Sequence, residues 1–193
     1  MRHIPATSYR NMPWRNGGGT TVELLREPNE LSPEGNPFLY RLSIADVRSD
    51  GPFSRFEGYE RHIMVVSGAG MTLTGGPHGV IDLRAPFQPA TFSGDWNIEG
   101  KLLAGPVRDF NFMVHRARAR GTLEVQEAEA ELPLDPGQAT VCIVHILEGT
   151  LEVAPQGDTL VLDGPTVVTA LPWARVAIAK VFVHGRSQPS NAD

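Results

Sequence analysis

Gly51–Leu73, with the sequence GPFSRFEGYERHIMVVSGAGMTL, decides which fold the chain predicts. It reads as a loop that enters a strand, a glycine turn and a second strand. Glycine is favoured in such turns because it adopts positive φ angles without steric cost. Small and aromatic side chains come first, and Arg61 and His62 follow where the strand begins. We predict a hairpin here, whose side chains form either a metal site or another kind of pocket.

The rest of the chain also alternates between short apolar segments and turns. Twenty glycines and 16 prolines among 193 residues separate segments rich in Val, Ile, Leu, Thr and Phe. Many short strands with frequent turns are typical of an all-β sandwich or barrel, and no segment keeps a helical period over several turns. The predicted strands are Thr20–Leu25, Leu39–Val47, His62–Val66, Met71–Thr74, Val80–Leu83, Gln88–Phe92, Lys101–Leu103, Phe110–His115, Thr122–Glu127, Thr140–Leu147, Thr150–Ala154, Thr159–Leu162, Thr166–Thr169 and Ala174–His184.

A faint internal repeat divides the chain into two similar β-units. Val65–Leu73 resembles Ile146–Val153, and in both units a turn and a returning apolar strand follow. Any two hairpins can show comparable similarity, but two units too small to bury their inner faces alone would pack against each other. We predict two domains, residues 1–120 and residues 121–193, with strands of the N-terminal part completing the second domain.

Charge and composition exclude several kinds of partner. The net charge is −5, so the concentrated basic surface that nucleic acid needs is not expected. The single cysteine, Cys142, lies in an apolar strand-like run and is expected to be a buried, inert thiol. The N-terminus lacks the apolar core of a signal peptide, and no apolar run has the length of a membrane span. We expect a cytoplasmic protein with no membrane partner.

The strand–turn–strand pattern around Ser67-Gly68 and Glu148-Gly149 resembles the central hairpin of the cupin superfamily. Cupins are small barrels of two facing sheets, and their motifs usually supply an H-x-H pair, a Glu and a further His to a divalent metal. The corresponding positions here are Ser54, Phe56 and Glu60-Arg61, and the chain contains no H-x-H. A transition metal needs about three or four converging donors, so we predict no metal site and no cofactor.

A more specific resemblance is to the HutD/Ves family of bicupin-like proteins. Four segments carry it: Met12–Leu24 (MPWRNGGGTTVEL), Tyr40–Val47 (YRLSIADV), Gly51–Arg61 (GPFSRFEGYER) and Gly105–Met113 (GPVRDFNFM). The similarity thins after Gly121. The resemblance implies two cupin-like, RmlC-like jelly-roll barrels in one chain. It also implies a link to histidine utilisation, in which the protein senses or limits flux and binds a breakdown intermediate such as N-formylglutamate or urocanate.

The first of these segments contains three consecutive glycines, Gly17–Gly19, which allow backbone to pass close to another group or a ligand. Beside them, Trp14 offers an aromatic surface and Asn16 a donor and an acceptor, and Thr20 and Glu23 can point into a cavity from the following strand. The alternative is a tight N-terminal turn in which Trp14 only caps the core.

The strand that contains Arg41 and Ser43 leaves two interpretations open. These two residues share one face of the strand, and Leu42 and Ile44 share the other. If the polar pair points into a barrel, Arg41 lines a cavity. If the apolar pair does, Arg41 is a solvated surface charge.

Arg61 is the leading candidate for a ligand contact, because it opens a strand whose side chains a cupin would aim into the barrel. A guanidinium there could bind a carboxylate through two parallel hydrogen bonds. The alternative is a buried structural ion pair with Glu23, Glu60 or Asp109.

Neighbouring side chains complete the predicted pocket. Phe53, Phe56 and Phe112 could form apolar walls, although core packing is the commoner role of phenylalanine. Asp109 and Asn111 share a strand face and could orient Arg61, contact the ligand or satisfy turn backbone. The candidate ligand-binding residues are Arg61, Trp14, Asn16, Thr20, Glu23, Arg41, Ser43, Phe53, Ser54, Phe56, Asp109 and Asn111.

Three functional hypotheses follow. The first is a metal-free regulatory protein that binds a small acidic metabolite, with no catalytic residue. The second is a cupin enzyme, an oxygenase, isomerase or hydrolase of a small amide or imidazole compound, in which Glu23, His62 or Asp109 serves as acid or base. The third is a scaffold with a vestigial pocket, whose barrel edges mediate assembly, which leaves a homodimer open.

Overall fold

The computed structural model describes residues 1–14, 17–28, 38–77 and 79–185, and these ranges are built almost entirely from strands. The strands are β1 (Arg2–Ile4), β2 (Arg10–Pro13), β3 (Gly19–Glu27), β4 (Tyr40–Val47), β5 (Gly51–Phe53), β6 (Tyr59–Ser67), β7 (Met71–Gly76), β8 (Gly79–Leu83), β9 (Ala90–Ser93), β10 (Ile98–Leu102), β11 (Val107–His115), β12 (Ala119–Ala128), β13 (Glu131–Leu134), β14 (Val141–Leu151), β15 (Ala154–Pro155), β16 (Thr159–Leu162) and β17 (Thr166–Val183). One short 3-10 helix, Ala6–Ser8, is the sole helical element of the described ranges. These ranges contain no helix that is long and apolar enough to cross a membrane. The all-β prediction is confirmed.

The N-terminal part forms two antiparallel sheets that enclose a core. One sheet has six strands in the order β2-β3-β4-β11-β6-β9, and the other has four in the order β5-β10-β7-β8. Ile63 and Val65 of the larger sheet belong to one buried cluster with Met71, Leu73 and Ile98 of the smaller sheet. Burial of this apolar surface holds the two sheets face to face.

The C-terminal part is built on a seven-stranded sheet in the order β1-β16-β14-β17-β12, with β13 paired to β17 and β15 to β14. The strand β17 is long enough to pair with β13 at Thr166–Thr169 and with β12 at Ala174–Val183. The N-terminal strand β1 pairs with β16, so the beginning of the chain belongs to this second sheet. The chain passes from the six-stranded sheet to the seven-stranded sheet between His115, the end of β11, and Ala119, the start of β12.

The two parts pack together through the outer face of the six-stranded sheet. Leu42, Phe110 and Phe112 on that face share a buried cluster with Ile143 and Val181 of the seven-stranded sheet. Phe112, predicted as a possible pocket wall, therefore lies in the contact between the six-stranded and the seven-stranded sheets. The close approach depends on Gly121, because a Cβ there would lie 2.8 Å from Phe112 Cε1.

Two of the predicted strand arrangements were wrong. The strands of the opening stretch do not form a hairpin, because β6 pairs with β11 and β9 whereas β7 pairs with β10 and β8. Gly68 and Gly70 have φ angles of 100° and 96° and carry the chain from one sheet to the other. In the C-terminal half, the two separate segments predicted around Pro172 are one strand, β17. Its proline is tolerated because it lies between the stretch paired with β13 and the stretch paired with β12.

Candidate ligand-binding site

A cavity of about 520 Å³ opens between the two N-terminal sheets. Nine predicted residues line it: Trp14, Arg41, Ser43, Phe53, Ser54, Phe56, Arg61, Asp109 and Asn111. Six further lining residues were not predicted: Met12, Pro13, Thr21, Ala45, Pro52 and Met113. The cavity is therefore walled by apolar and aromatic groups around a few polar side chains, the composition typical of small-molecule sites.

Strand register brings the polar residues together. Asn111 of β11 lies between Ser43 of β4 and Ile63 of β6, and Met113 lies between Arg41 and Arg61. Residues directly opposite each other in neighbouring strands point to the same face. Of the two orientations left open for β4, the structure has the polar pair facing the cavity.

Arg61 lies at the centre of this polar group and is only 4% exposed. Its Nε and Nη2 donate to Asn111 Oδ1 at 3.3 and 3.1 Å, and its Nη1 donates to the Ser54 carbonyl at 3.1 Å. Each Nη nitrogen carries a second N–H. One N–H on Nη1 and one on Nη2 therefore remain without a recorded partner among the described residues.

Three phenylalanine rings surround the same guanidinium. The Arg61 Cζ lies 5.6 Å from the ring centres of Phe53 and Phe56 and 5.0 Å from that of Phe92. These cation–π contacts restrict the side chain and compensate part of its lost hydration. Burial lowers the pKa of Arg61 to about 10, so the guanidinium stays charged at neutral pH. Phe92 was not predicted, because its contact with Arg61 depends on β9 pairing with β6.

Asp109 and Asn111 fix the position of Arg61. Asn111 Nδ2 donates to Asp109 Oδ1 at 3.0 Å, which leaves the amide oxygen directed at Arg61. Asp109 is fully buried, and its Oδ2 has no hydrogen-bond partner in the described part of the chain. Burial raises the pKa of Asp109 to about 6, against the opposing effects of the Asn111 hydrogen bond and the Arg61 charge. Arg61 is thus linked to Asp109 through an amide rather than by a direct ion pair.

A second arginine, Arg41, reaches the cavity from β4. Its Nε lies 2.9 Å from Glu23 Oε2, as an ion pair whose N–H is not aligned for a hydrogen bond. Burial lowers the pKa of Arg41, and the charge of Glu23 opposes that change. Glu23 does not itself line the cavity, so its contribution to the site is to pair with Arg41.

Trp14, which precedes the glycine-rich segment, lines the cavity. Trp14 Nε1 donates to Thr21 Oγ1 at 2.8 Å. Glycine is required at position 19 because a Cβ there would lie 2.2 Å from the Asp46 carbonyl oxygen and 3.1 Å from the Trp14 ring. Thr21 lines the cavity, whereas the predicted Thr20 lies on the other face of β3, opposite Asp46. Asn16 lies outside the described residues.

The histidine nearest to Arg61 in sequence does not reach the cavity. His62 points to the other face of β6, where its ring stacks on Phe112 at 5.3 Å and its Nδ1 lies 2.9 Å from Thr91 Oγ1. Its Nε2 lies 3.3 Å from Glu60 Oε1. The described ranges contain no group of three or more His, Cys, Asp or Glu side chains able to hold a metal ion.

Comparison with known proteins identifies relatives along most of the chain. The family model HutD matches residues 6–178. An uncharacterised 21.2 kDa protein in the hutC 3′ region of Pseudomonas putida is 43% identical over 127 residues, which cover 64% of this chain and 63% of that relative. The chain thus aligns with less than two thirds of that relative's length.

Solved structures show the same fold. HutD from Pseudomonas fluorescens SBW25, in a structure described as the formate condition, is 32% identical with a TM-score of 0.78, covering 95% of this chain and 99% of that chain. A cupin 2 conserved barrel domain protein from Leptotrichia buccalis is 11% identical with a TM-score of 0.52, covering 84% and 88%, and shares the fold alone. The family match and the cupin-like fold together agree with the resemblance first seen in the sequence, and the chain belongs to the HutD family.

Proposed function

We propose that this protein is a metal-free regulatory binding protein of histidine utilisation, whose N-terminal cavity holds a small acidic metabolite such as N-formylglutamate or urocanate. The proposal includes action in the cytoplasm without a nucleic-acid or membrane partner, and assembly as a homodimer is compatible with it. The buried guanidinium of Arg61 is the observation that carries the proposal.

The position of Arg61 favours a carboxylate ligand. Asn111 and Ser54 hold the guanidinium in place, and one N–H on each Nη nitrogen remains for a ligand. A carboxylate supplies two oxygens to such donors, and charge-assisted hydrogen bonds of this kind are among the strong ones in proteins. A charge buried among phenylalanine rings is costly unless it is paired, so pairing with an anionic ligand would be favourable.

The rest of the cavity favours a small ligand with a second polar group. Its volume of about 520 Å³ suits a metabolite of amino-acid size. Ser43 and Arg41 provide polar groups on β4, with Arg41 paired to Glu23 behind it, and Trp14 provides an aromatic wall. N-formylglutamate carries two carboxylates and an amide, and urocanate carries one carboxylate and an imidazole, so both fit this arrangement of groups.

The link to histidine utilisation is supported by the relatives. The Pseudomonas putida relative is named for the hutC 3′ region, and the Pseudomonas fluorescens structure is named HutD. A protein that binds an intermediate of that process without transforming it would report the concentration of the intermediate. This is why we favour a regulatory role.

Thermal unfolding with N-formylglutamate, urocanate or the uncharged diamide N-formylglutaminamide tests the proposal. A ligand that binds only the native state at about 100 times its Kd stabilises that state by about 2.7 kcal/mol, so at least one acidic compound should raise the Tm of the wild type. Arg61→Gln should abolish this rise. Arg108→Gln, which removes an exposed arginine paired with Asp46, should keep it. An equal rise in Arg61→Gln would remove Arg61 from the site.

An enzyme is the second candidate, because Asp109 is a buried carboxyl with a raised pKa beside the cavity. A carboxyl with a pKa near the working pH can act as a general base. The two functions differ in one measurement. Proton NMR of N-formylglutamate or urocanate incubated with the protein shows an unchanged ligand if the protein only binds, and new product signals that disappear in Asp109→Asn if it is an enzyme.

A further inference from the structure

The loop of residues 84–89 holds one phenylalanine in an unusual backbone conformation. It carries the chain from β8 of the four-stranded sheet to β9 of the six-stranded sheet. Phe87 has a φ angle of 60° and is the only non-glycine residue with a positive φ in the described ranges. A bulky side chain rarely adopts this left-handed conformation, which persists only where surrounding contacts impose it. The contacts of the Phe87 ring therefore identify what holds the loop.

Arg175 of β17 lies against the Phe87 ring. Its Cζ is 4.0 Å from the ring centre, which makes a cation–π contact. Glu127 of β12 and Glu148 of β14 lie opposite Arg175 in the two neighbouring strands. Arg175 Nε donates to Glu127 Oε1 at 2.8 Å, and its Nη1 is ion-paired with Glu148. Three strands of the seven-stranded sheet thus fix one guanidinium over a loop that joins the other two sheets.

The loop leads directly into β9, which carries Phe92. The Phe87 N–H donates to the Val65 carbonyl at 2.9 Å, so the loop is attached to β6 before β9 begins. The strand β9 then pairs with β6 and places Phe92 opposite Arg61, whose Cζ lies 5.0 Å from the Phe92 ring centre. Because β9 has four residues and lies at the edge of its sheet, β6 is its one neighbour among the described strands. Its position therefore depends on how its two ends are fastened.

The far end of β9 is fastened by a different arginine. Arg116, in the connection between β11 and β12, donates from Nη1 to Ser93 Oγ at 2.6 Å, and its Nη2 is ion-paired with Asp95. Arg116 thus holds the end of β9, and Arg175 holds its beginning through Phe87.

We propose that Arg175 is a positioning residue of the N-terminal cavity. By holding Phe87 it fixes the beginning of β9, and this keeps the Phe92 ring against the Arg61 guanidinium. Arg175 does not line the cavity and so acts without contacting a ligand there. The effect on ligand binding rests on the function proposed above, whereas the effect on Phe92 and Arg61 does not.

NMR of the ligand-free protein tests the positioning. The resonance of the Arg61 Nε–H, assigned by its absence in Arg61→Gln, reports the ring currents of the nearby phenylalanines. Arg175→Gln should shift it and should speed amide exchange in β9 by roughly 2- to 30-fold, the range for loss of a cation–π contact. Phe87→Leu, which keeps both ion pairs of Arg175, should have the same effects, and Arg175→Lys, which keeps a cation at the ring, should have much smaller ones. Arg120→Gln removes an arginine whose Cζ lies 4.1 Å from the Phe182 ring in the same sheet, and it should match the wild type.

Isothermal titration with N-formylglutamate and urocanate tests the consequence for binding. A compound that binds the wild type should bind Arg175→Gln and Phe87→Leu more weakly, by a factor within the same range, and Arg120→Gln equally well. Circular dichroism verifies that the variants are folded, and Phe87→Leu decides alone if Arg175→Gln does not fold.

The outcomes separate this proposal from the function proposed above. An unchanged Arg61 resonance and unchanged β9 exchange in Arg175→Gln and Phe87→Leu would overturn the proposal, and so would a changed resonance with unchanged affinity. If neither compound binds the wild type, the proposed function fails for these ligands, and the NMR result alone supports or overturns the positioning by Arg175.

Discussion

Replacing Asp109 by asparagine should remove a pH-dependent loss of stability from this protein. The carboxyl is fully buried, accepts one hydrogen bond from Asn111 and has an Oδ2 with no partner among the described residues. Asparagine has nearly the same shape, can keep an oxygen towards Asn111 and cannot ionise. The replacement therefore removes the charge and leaves most of the geometry in place.

The expected size of the effect follows from the pKa of Asp109. Burial raises it from 3.8 to about 6 in the folded protein. The folded state then holds its proton more tightly than the unfolded state, so stability is greatest below pH 3.8 and falls as the pH rises through 6. A shift of about two units corresponds to about 3 kcal/mol in total, of which roughly 1 kcal/mol is lost between pH 5 and pH 7.

Urea unfolding of the wild type and Asp109→Asn at several pH values from 4 to 7 measures this effect. Because other titrating groups contribute equally to both proteins, the difference between their free energies of unfolding isolates residue 109. That difference should change by about 2 kcal/mol from pH 4 to pH 7, in favour of the variant at high pH. Asp82→Asn, at an exposed carboxylate paired with Arg84, should show no such trend.

The same residue connects stability to ligand binding. An anion beside Arg61 lies close to Asp109 and favours its protonated form, so linkage requires the anion to bind more tightly below pH 6 in the wild type. This preference should be absent in Asp109→Asn. Parallel stability curves for the two proteins across the pH range would show that Asp109 is not held with a raised pKa, and the explanation of both effects would fail.

Two further predictions concern the support of the site and the core of the second domain. Gly100→Ala should cost about 1–3 kcal/mol of stability, because its Cβ would lie 2.4 Å from Phe53 Cε2, whereas Gly164→Ala, with open space around it, should leave the urea midpoint nearly unchanged. Burial lowers the pKa of His145 to about 4, so the free energy of unfolding of the wild type should fall by about 3 kcal/mol as the pH drops from 6.5 to 4. His145→Gln should not show this fall in acid unfolding experiments. If the variant and the wild type lose stability equally over this pH range, His145 is not a buried neutral imidazole.

The sequence predicted the class of the fold but not the pairing of strands, and Arg61, the leading candidate for the site, lines the cavity. Alternation of apolar and polar residues between glycine turns identifies a strand but not the strand that it pairs with. The sequence therefore predicted β6 and β7 as strands, whereas their assignment to one hairpin was wrong. The short strands β5 and β13 each contain a proline and were missed. Both lie at an edge, where a strand tolerates a residue without an N–H.

The errors within the site have equally local causes. Successive side chains of a strand point to opposite faces, so an error of one position in the alignment of β3 exchanges one face for the other. The sequence prediction named Thr20 as a cavity residue, whereas Thr21 lines the cavity. The orientation of Arg41 could not be read from alternation, because the sheet that carries it is covered on both faces. The strands β1 and β2 were not predicted at all, since they have few of the β-branched and aromatic residues that mark strands.

The six-stranded sheet is covered on both faces, and this explains how the seven-stranded sheet supports the N-terminal cavity without lining it. None of the residues recorded around the N-terminal cavity comes from beyond Met113. Yet Asp109 and Asn111 alternate along β11 with Phe110 and Phe112, whose rings are fully buried against the seven-stranded sheet. Without that sheet the rings would form an exposed apolar patch, and the strand would lose the packing that fixes its register. Because a slip of one residue would exchange the polar row for the aromatic one, the seven-stranded sheet helps to position Asn111, and through it Arg61, without lining the cavity.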